Sequence, residues 1–124
     1  MVDAPDDADR LPNWRLAHVA PEKLRDYALN PAHPVGQHKA RLFAAALGYE
    51  QGDWAALRAA ILAGLPAARA RLRRQLPGVA DYEVVLQITG LNGSVADVIT
   101  GWRVASPILP ASVPRLTTAY PRVG

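Results

Sequence analysis

Residues 67–76 read "AARARLRRQL", and the fold turns on them. Every residue type in the stretch is a competent helix former. Yet Ala68, Ala70 and Leu72 alternate with Arg69, Arg71 and Arg73, which is the period of a strand. Pro66 ahead and the Pro77-Gly78 pair behind cut the stretch out as a separate element. Composition leaves a helix open; the alternation and the brackets favour a strand. As a strand it would be the first of four.

Downstream, "DYEVVLQIT" (81–89) is rich in β-branched residues and is followed by a turn at "LNG". "VADVITGWRVA" (95–105) is a further strand, with Gly101 marking an expected bulge. A proline-rich loop, "PILPASVP" (107–114), leads to a last strand, "RLTTAY" (115–120). Upstream, three segments have helical spacing. In "PEKLRDYALN" (21–30), Pro21 suits the first helical position, Glu22 complements the positive dipole end, and Leu24, Tyr27 and Ala28 share a face. In "VGQHKARLFAAALG" (35–48), Leu42, Phe43, Ala46 and Leu47 form a stripe that Gly48 ends. In "DWAALRAAILAGL" (53–65), Asp53 caps and Trp54, Leu57, Ile61 and Leu65 face one way. The expected fold is α+β, with three N-terminal helices packed on a four-stranded antiparallel sheet. Residues 1–13, polar and aperiodic, are expected to be an acidic flexible tail on a single domain spanning 14–124.

The 124 residues include no cysteine, which removes disulfides, thiolate metal sites and cysteine nucleophiles. The acidic start lacks the apolar core of a signal peptide, and no apolar run is long enough for a bilayer, so a cytoplasmic protein without membrane contact is expected. The net charge of +3 hides an asymmetry. Asp3, Asp6, Asp7 and Asp9 lie in the first ten residues, leaving thirteen bases against seven acids after them, a net +6. All but Lys23 and Lys39 of those bases are arginine, the side chain that forks onto phosphates and carboxylates. RNA and an acidic protein are the partners such a body implies.

Two stretches carry the candidate chemistry. "NPAHPVGQHKARLF" (30–43) sets His38, Lys39 and Arg41 in the first turns of a helix. A helix N-terminus offers free N–H groups to an anion, while cations there disfavour the helix. His33, just ahead of it, carries an imidazole, the side chain suited to a general acid or base. In "PRLTTAYPR" (114–122), regular alternation would put Arg115, Thr117 and Ala119 on one side and Leu116, Thr118 and Tyr120 on the other. Arg115 and Thr117 would then present a guanidinium and a hydroxyl together to a phosphate. His18 sits among apolar residues and reads as structural. The three histidines have no metal-ligand spacing, and no metal or cofactor is implied. P-loop, dinucleotide-binding and nucleophile-elbow motifs are absent.

His33, Pro34, Gly36, Lys39 and Ala40 spell HP-x-G-x-x-K-A at a helix start. Together with Trp102, Arg115, Leu116 and the closing Thr118-Ala119-Tyr120-Pro121, they make the chain resemble an uncharacterised family of small bacterial domains. More loosely, helices followed by a four-stranded antiparallel sheet resemble the barnase–colicin–RelE class of metal-independent ribonuclease toxins. That likeness implies an endoribonuclease paired with an acidic antitoxin or immunity protein. It implies His33, Lys39, Arg115 and Thr117 as catalytic residues, with His38, Arg41, Thr118, Tyr120 and Trp102 binding the RNA. It marks no glutamate in this chain as the partner of His33. The other class is a non-catalytic binding module whose basic face docks an acidic protein.

Overall fold

The computed structural model describes residues 5–106 and 109–122. Residues 1–4 of the expected tail, Pro107 and Ile108 of the proline-rich loop, and the last two residues lie outside that range. The chain is α+β, built on one four-stranded antiparallel sheet in the order β1-β2-β3-β4. The strands are β1 (Ala70–Leu76), β2 (Val79–Thr89), β3 (Val95–Ala105) and β4 (Arg115–Pro121).

The deciding stretch is a strand from Ala70 onward. Its competitor was an arginine-rich helix, and pairing with β2 wins because the Pro77-Gly78 turn folds the chain straight back. Gly78 has φ 84° there, a left-handed value that suits glycine alone among common residues. Leu76 then faces Val79, and pairing continues to Ala70 against Val84. The register slips between Leu72 and Arg74. This bulge ends the simple alternation and brings Arg73 and Arg74 to the side of Glu83 and Asp81.

Helix α1 (Pro21–Lys23) widens into a π-helical turn, Leu24–Ala28. The expected helix to residue 30 therefore stops short, and Leu29 N–H bonds the Leu24 carbonyl five residues back at 2.8 Å. The wide turn lets Leu24, Ala28 and Leu29 all be buried at once. Helix α2 (Gln37–Leu47) ends at Gly48, in the left-handed region at φ 74°. Helix α3 (Trp54–Gly64) follows. Phe43 and Leu47 from α2 and Leu57 and Ile61 from α3 share one apolar cluster with Val84, Leu86, Val98, Trp102 and Leu116 from the sheet. Trp54 stays half-buried at the margin, with the Arg25 and Arg58 guanidiniums over its ring.

Packing begins upstream of residue 14, where the sequence set the edge of the domain. Pro5 is buried, and Leu11 sits in the central cluster. Arg10 Nε donates to the Pro66 carbonyl at 2.8 Å, and Asp9 meets Arg69 at 2.8 Å. One leucine and two arginine contacts hold a segment whose composition is otherwise that of a tail. Among the described residues, no helix is long and apolar enough to cross a membrane.

Candidate functional site

The turn before α2 is built around His33. Its Nδ1 accepts the backbone N–H groups of Val35 at 3.0 Å and Gly36 at 2.9 Å, so the ring closes the turn that leads into α2. With Nδ1 accepting, the bonded ring is the neutral tautomer that carries its proton on Nε2. Gly36 is required by contact: a β-carbon there would overlap the Tyr27 carbonyl oxygen. That close approach lays the start of α2 against the π turn. Tyr27 then meets the His33 imidazole edge-on, with centroids 4.9 Å apart.

Lys39, one turn into α2, completes the arrangement. Its Nζ donates to the Tyr27 hydroxyl at 2.9 Å and lies 5.0 Å from the Tyr27 ring centre and 5.8 Å from that of Tyr120 on β4. Among the described residues, no carboxylate stands within salt-bridge distance of it. The ammonium is hydrogen-bonded at the rim of Tyr27 and stands near the Tyr120 ring, and the Tyr27 hydroxyl keeps its own hydrogen for another acceptor.

Beside this pair opens a hollow of about 450 Å³ lined by Glu22, Lys23, Asp26, Tyr27, His33 and Thr117. The fold therefore brings His33 and Thr117 to one place although they are far apart in sequence. Asp26 is forked onto Arg25 through two 3.0 Å bonds, which hold its carboxyl below the usual range. Exposed Glu22 has no such partner among the described residues. Thr117 also lines a second hollow, of about 400 Å³, on the open face of the sheet with Thr118, Tyr120 and Arg103. The two hollows share Thr117.

The remaining expectations do not join this cluster. β4 does not alternate regularly: Gly101 pairs with Thr118 while Trp102 pairs with Leu116, so Thr117 is an extra residue at a bulge. The bulge lies at Gly101, where a β-carbon would come within 2.9 Å of the Thr117 hydroxyl. It puts Leu116 and Ala119, not Leu116 and Tyr120, in the core. Arg115 and Thr117 stay on the side away from buried Leu116, and the bulge brings Thr118 and Tyr120 to that side as well. Arg115 is exposed, opposite Arg103 on one side and bridged to His18 on the other, and it lines neither hollow. His38 and Arg41 are exposed on α2, and Arg41 donates to Gln37 at 3.3 Å. Trp102 differs from the others in burial. Only 1% exposed, it donates its indole N–H to Thr100, which donates in turn to the Val84 carbonyl, so its side chain belongs to the core.

Sequence reasoning passed over Glu22 and Tyr27. Glu22 had a sufficient local explanation in the helix dipole, and Tyr27 in the apolar face. Only the fold brings both to the hollow that His33 lines.

A family described as a domain of unknown function (DUF6883) matches residues 10–123, and the chain belongs to that family. No curated protein and no solved structure matches the chain.

Proposed function

We propose that this chain is a metal-independent endoribonuclease whose reaction centre is the hollow beside Tyr27. One observation carries the reading: Tyr27, whose hydroxyl is backed by the Lys39 ammonium at 2.9 Å, lines the same hollow as Glu22, His33 and Thr117. That set suits transesterification of RNA. The Glu22 carboxylate takes the proton from a 2′-hydroxyl as its oxygen attacks the adjacent phosphorus. The P–O5′ bond breaks, and the leaving 5′-oxygen takes the Tyr27 proton. The Lys39 charge stabilises the phenolate that results, and solvent then takes the proton from Glu22 and returns one to Tyr27. His33 Nε2–H and the Thr117 hydroxyl donate to the phosphoryl oxygens as charge grows there. In this scheme His33 orients and stabilises, because its Nδ1 is already bonded, and the base is Glu22. Arg115 stands outside the first contacts and meets RNA beyond the cleaved bond.

An enzyme of this kind is dangerous to its own cell, so a toxin paired with an acidic antitoxin or immunity protein is the matching biology. The test is incubation of the purified chain with single-stranded RNA in the presence of a chelator. The expected products end in a 2′,3′-cyclic phosphate and a 5′-hydroxyl. Glu22→Gln, Tyr27→Phe and Lys39→Ala should each lower the rate by about 10²–10⁴ at an unchanged melting temperature. Uncut RNA, or cutting that survives all three changes, would sink the proposal. The second reading, a non-catalytic module that docks an acidic protein, is favoured by the arginines of β1.

A further inference from the structure

The other edge of the sheet has no part in that chemistry. β1 is an end strand, so it pairs with β2 on one side and presents the row of backbone N–H and C=O groups on the other side outward. Residues 71–76 are all exposed. Leu72 and Leu76 remain 49% and 39% exposed, unusual for leucines in a strand. Arg71, Arg73 and Arg74 stand along this strand, which carries no acidic residue.

We propose that the free edge of β1 receives an extended acidic segment of a partner protein as a fifth strand. The backbone row demands a peptide: main-chain groups of an added strand complete the ladder, and a nucleic acid has no matching row of amides. The arginines demand that it be acidic. The sheet already shows the contact in miniature, because Asp81 takes Arg103 in a two-pronged fork at 2.8 and 3.0 Å and Arg74 at 3.2 Å. Arg73 reaches Glu83 only at 3.9 Å, and Arg71 has no carboxylate partner among the described residues. A second copy of the chain would bring arginine against arginine at this edge, so a self-pair is disfavoured. Leu72 and Leu76 supply the apolar contact between charges. The proposal needs no step of the ribonuclease reading.

The probe is a synthetic heptapeptide alternating glutamate and valine. Comparators are its lysine counterpart, a backbone N-methylated version and a short oligouridylate. Binding to the full chain is titrated, and hydrogen–deuterium exchange reads the amides of residues 71–75. The acidic peptide should bind and slow exchange at those amides, while the lysine and N-methylated peptides should not. Arg71→Glu, at an exposed side chain, should weaken binding by roughly tenfold or more, the scale of one charge-assisted contact, and Arg71→Lys by less. Four results would overturn the idea: no binding of the acidic peptide, binding without protection of 71–75, binding unchanged by Arg71→Glu, or equal protection by oligouridylate. Self-association in sedimentation with those amides already protected would replace the partner by a second copy.

Discussion

β1 and β4 are both end strands of seven residues, and they solve the problem of an unpaired edge in opposite ways. β4 is covered. The chain at His18 lies along its start, accepting from Leu116 N–H at 3.0 Å and donating to Pro114 at 2.8 Å, while α1, the π turn and α2 lie against it. Around the Thr117 bulge its residues divide between core and open face, with Leu116, Ala119 and Pro121 buried. β1 is bare and relies on arginine to discourage chance pairing. The difference teaches where to look for each kind of function. A covered edge can hold side chains from several elements in fixed relation, which reaction chemistry needs. A bare edge offers a backbone template and mobile charge, which recognition of a flexible partner needs.

The comparison is broken most severely by truncating one leucine on each edge. Leu116→Ala, in the core, should cost about 2–5 kcal/mol. Leu72→Ala, on the bare strand, should stay within about 0.5 kcal/mol. Urea melts of the two variants give the answer, and equal losses would mean that β1 is as integrated as β4. Next in size is Gly36→Ala. The added methyl must push α2 away from the Tyr27 carbonyl, an overpacking cost of about 1–3 kcal/mol, and it should separate Lys39 from Tyr27 as well. A stable Gly36→Ala protein with its Tyr27 environment unaltered by NMR would contradict that close approach.

His33 gives a smaller effect and a cleaner separation of roles. His33→Ala removes both turn bonds and should cost about 0.5–1.5 kcal/mol, the net worth of such bonds. His33→Asn keeps an acceptor oxygen for the turn and should recover most of that stability. If Nε2–H contributes to RNA cleavage, the asparagine variant should be stable and still impaired. Full cleavage by His33→Asn would reduce His33 to a brace of the turn.

The α+β class and the four antiparallel strands were legible because local and global preferences agree there. β-branched runs lie between strong turn signals, and the apolar stripes of α2 and α3 mark residues that are buried, Phe43, Leu47, Leu57 and Ile61 among them. What was illegible depends on register. A single extra residue at Thr117 changes which side chains of β4 face the core, and nothing in "RLTTAY" announces it; the hint lay on the neighbouring strand, at Gly101. The bulge at Arg73 is hidden likewise inside a perfect-looking alternation. Of the candidate site, His33, Lys39 and Thr117 were nameable from residue type. Glu22 and Tyr27 were not, because a π turn is a tertiary accommodation of Leu24, Ala28 and Leu29. Leu11 was overlooked because one apolar residue among acids gives no periodicity.

The smallest effect tests the seam between the open sheet face and β1. Bonds from Arg103 and Arg74 hold the Asp81 carboxyl below its ordinary range. A carboxyl with a depressed folded value stabilises the fold above its unfolded value, about 3.9, and that contribution disappears as pH falls through the lower folded value. Wild type should therefore be slightly more stable than Asp81→Asn at neutral pH. The gap should close on acidification and narrow in high salt; a gap that stays constant into strong acid would mean that the loss comes from packing and not from charge. The same substitution sharpens the contrast between the edges. Asp81→Asn releases Arg74, so the acidic heptapeptide should bind β1 more tightly at neutral pH, while cleavage in the hollow beside β4 should be unaffected. If peptide affinity is unchanged, Arg74 belongs to the sheet alone, and the recognition face shrinks to Arg71 and Arg73.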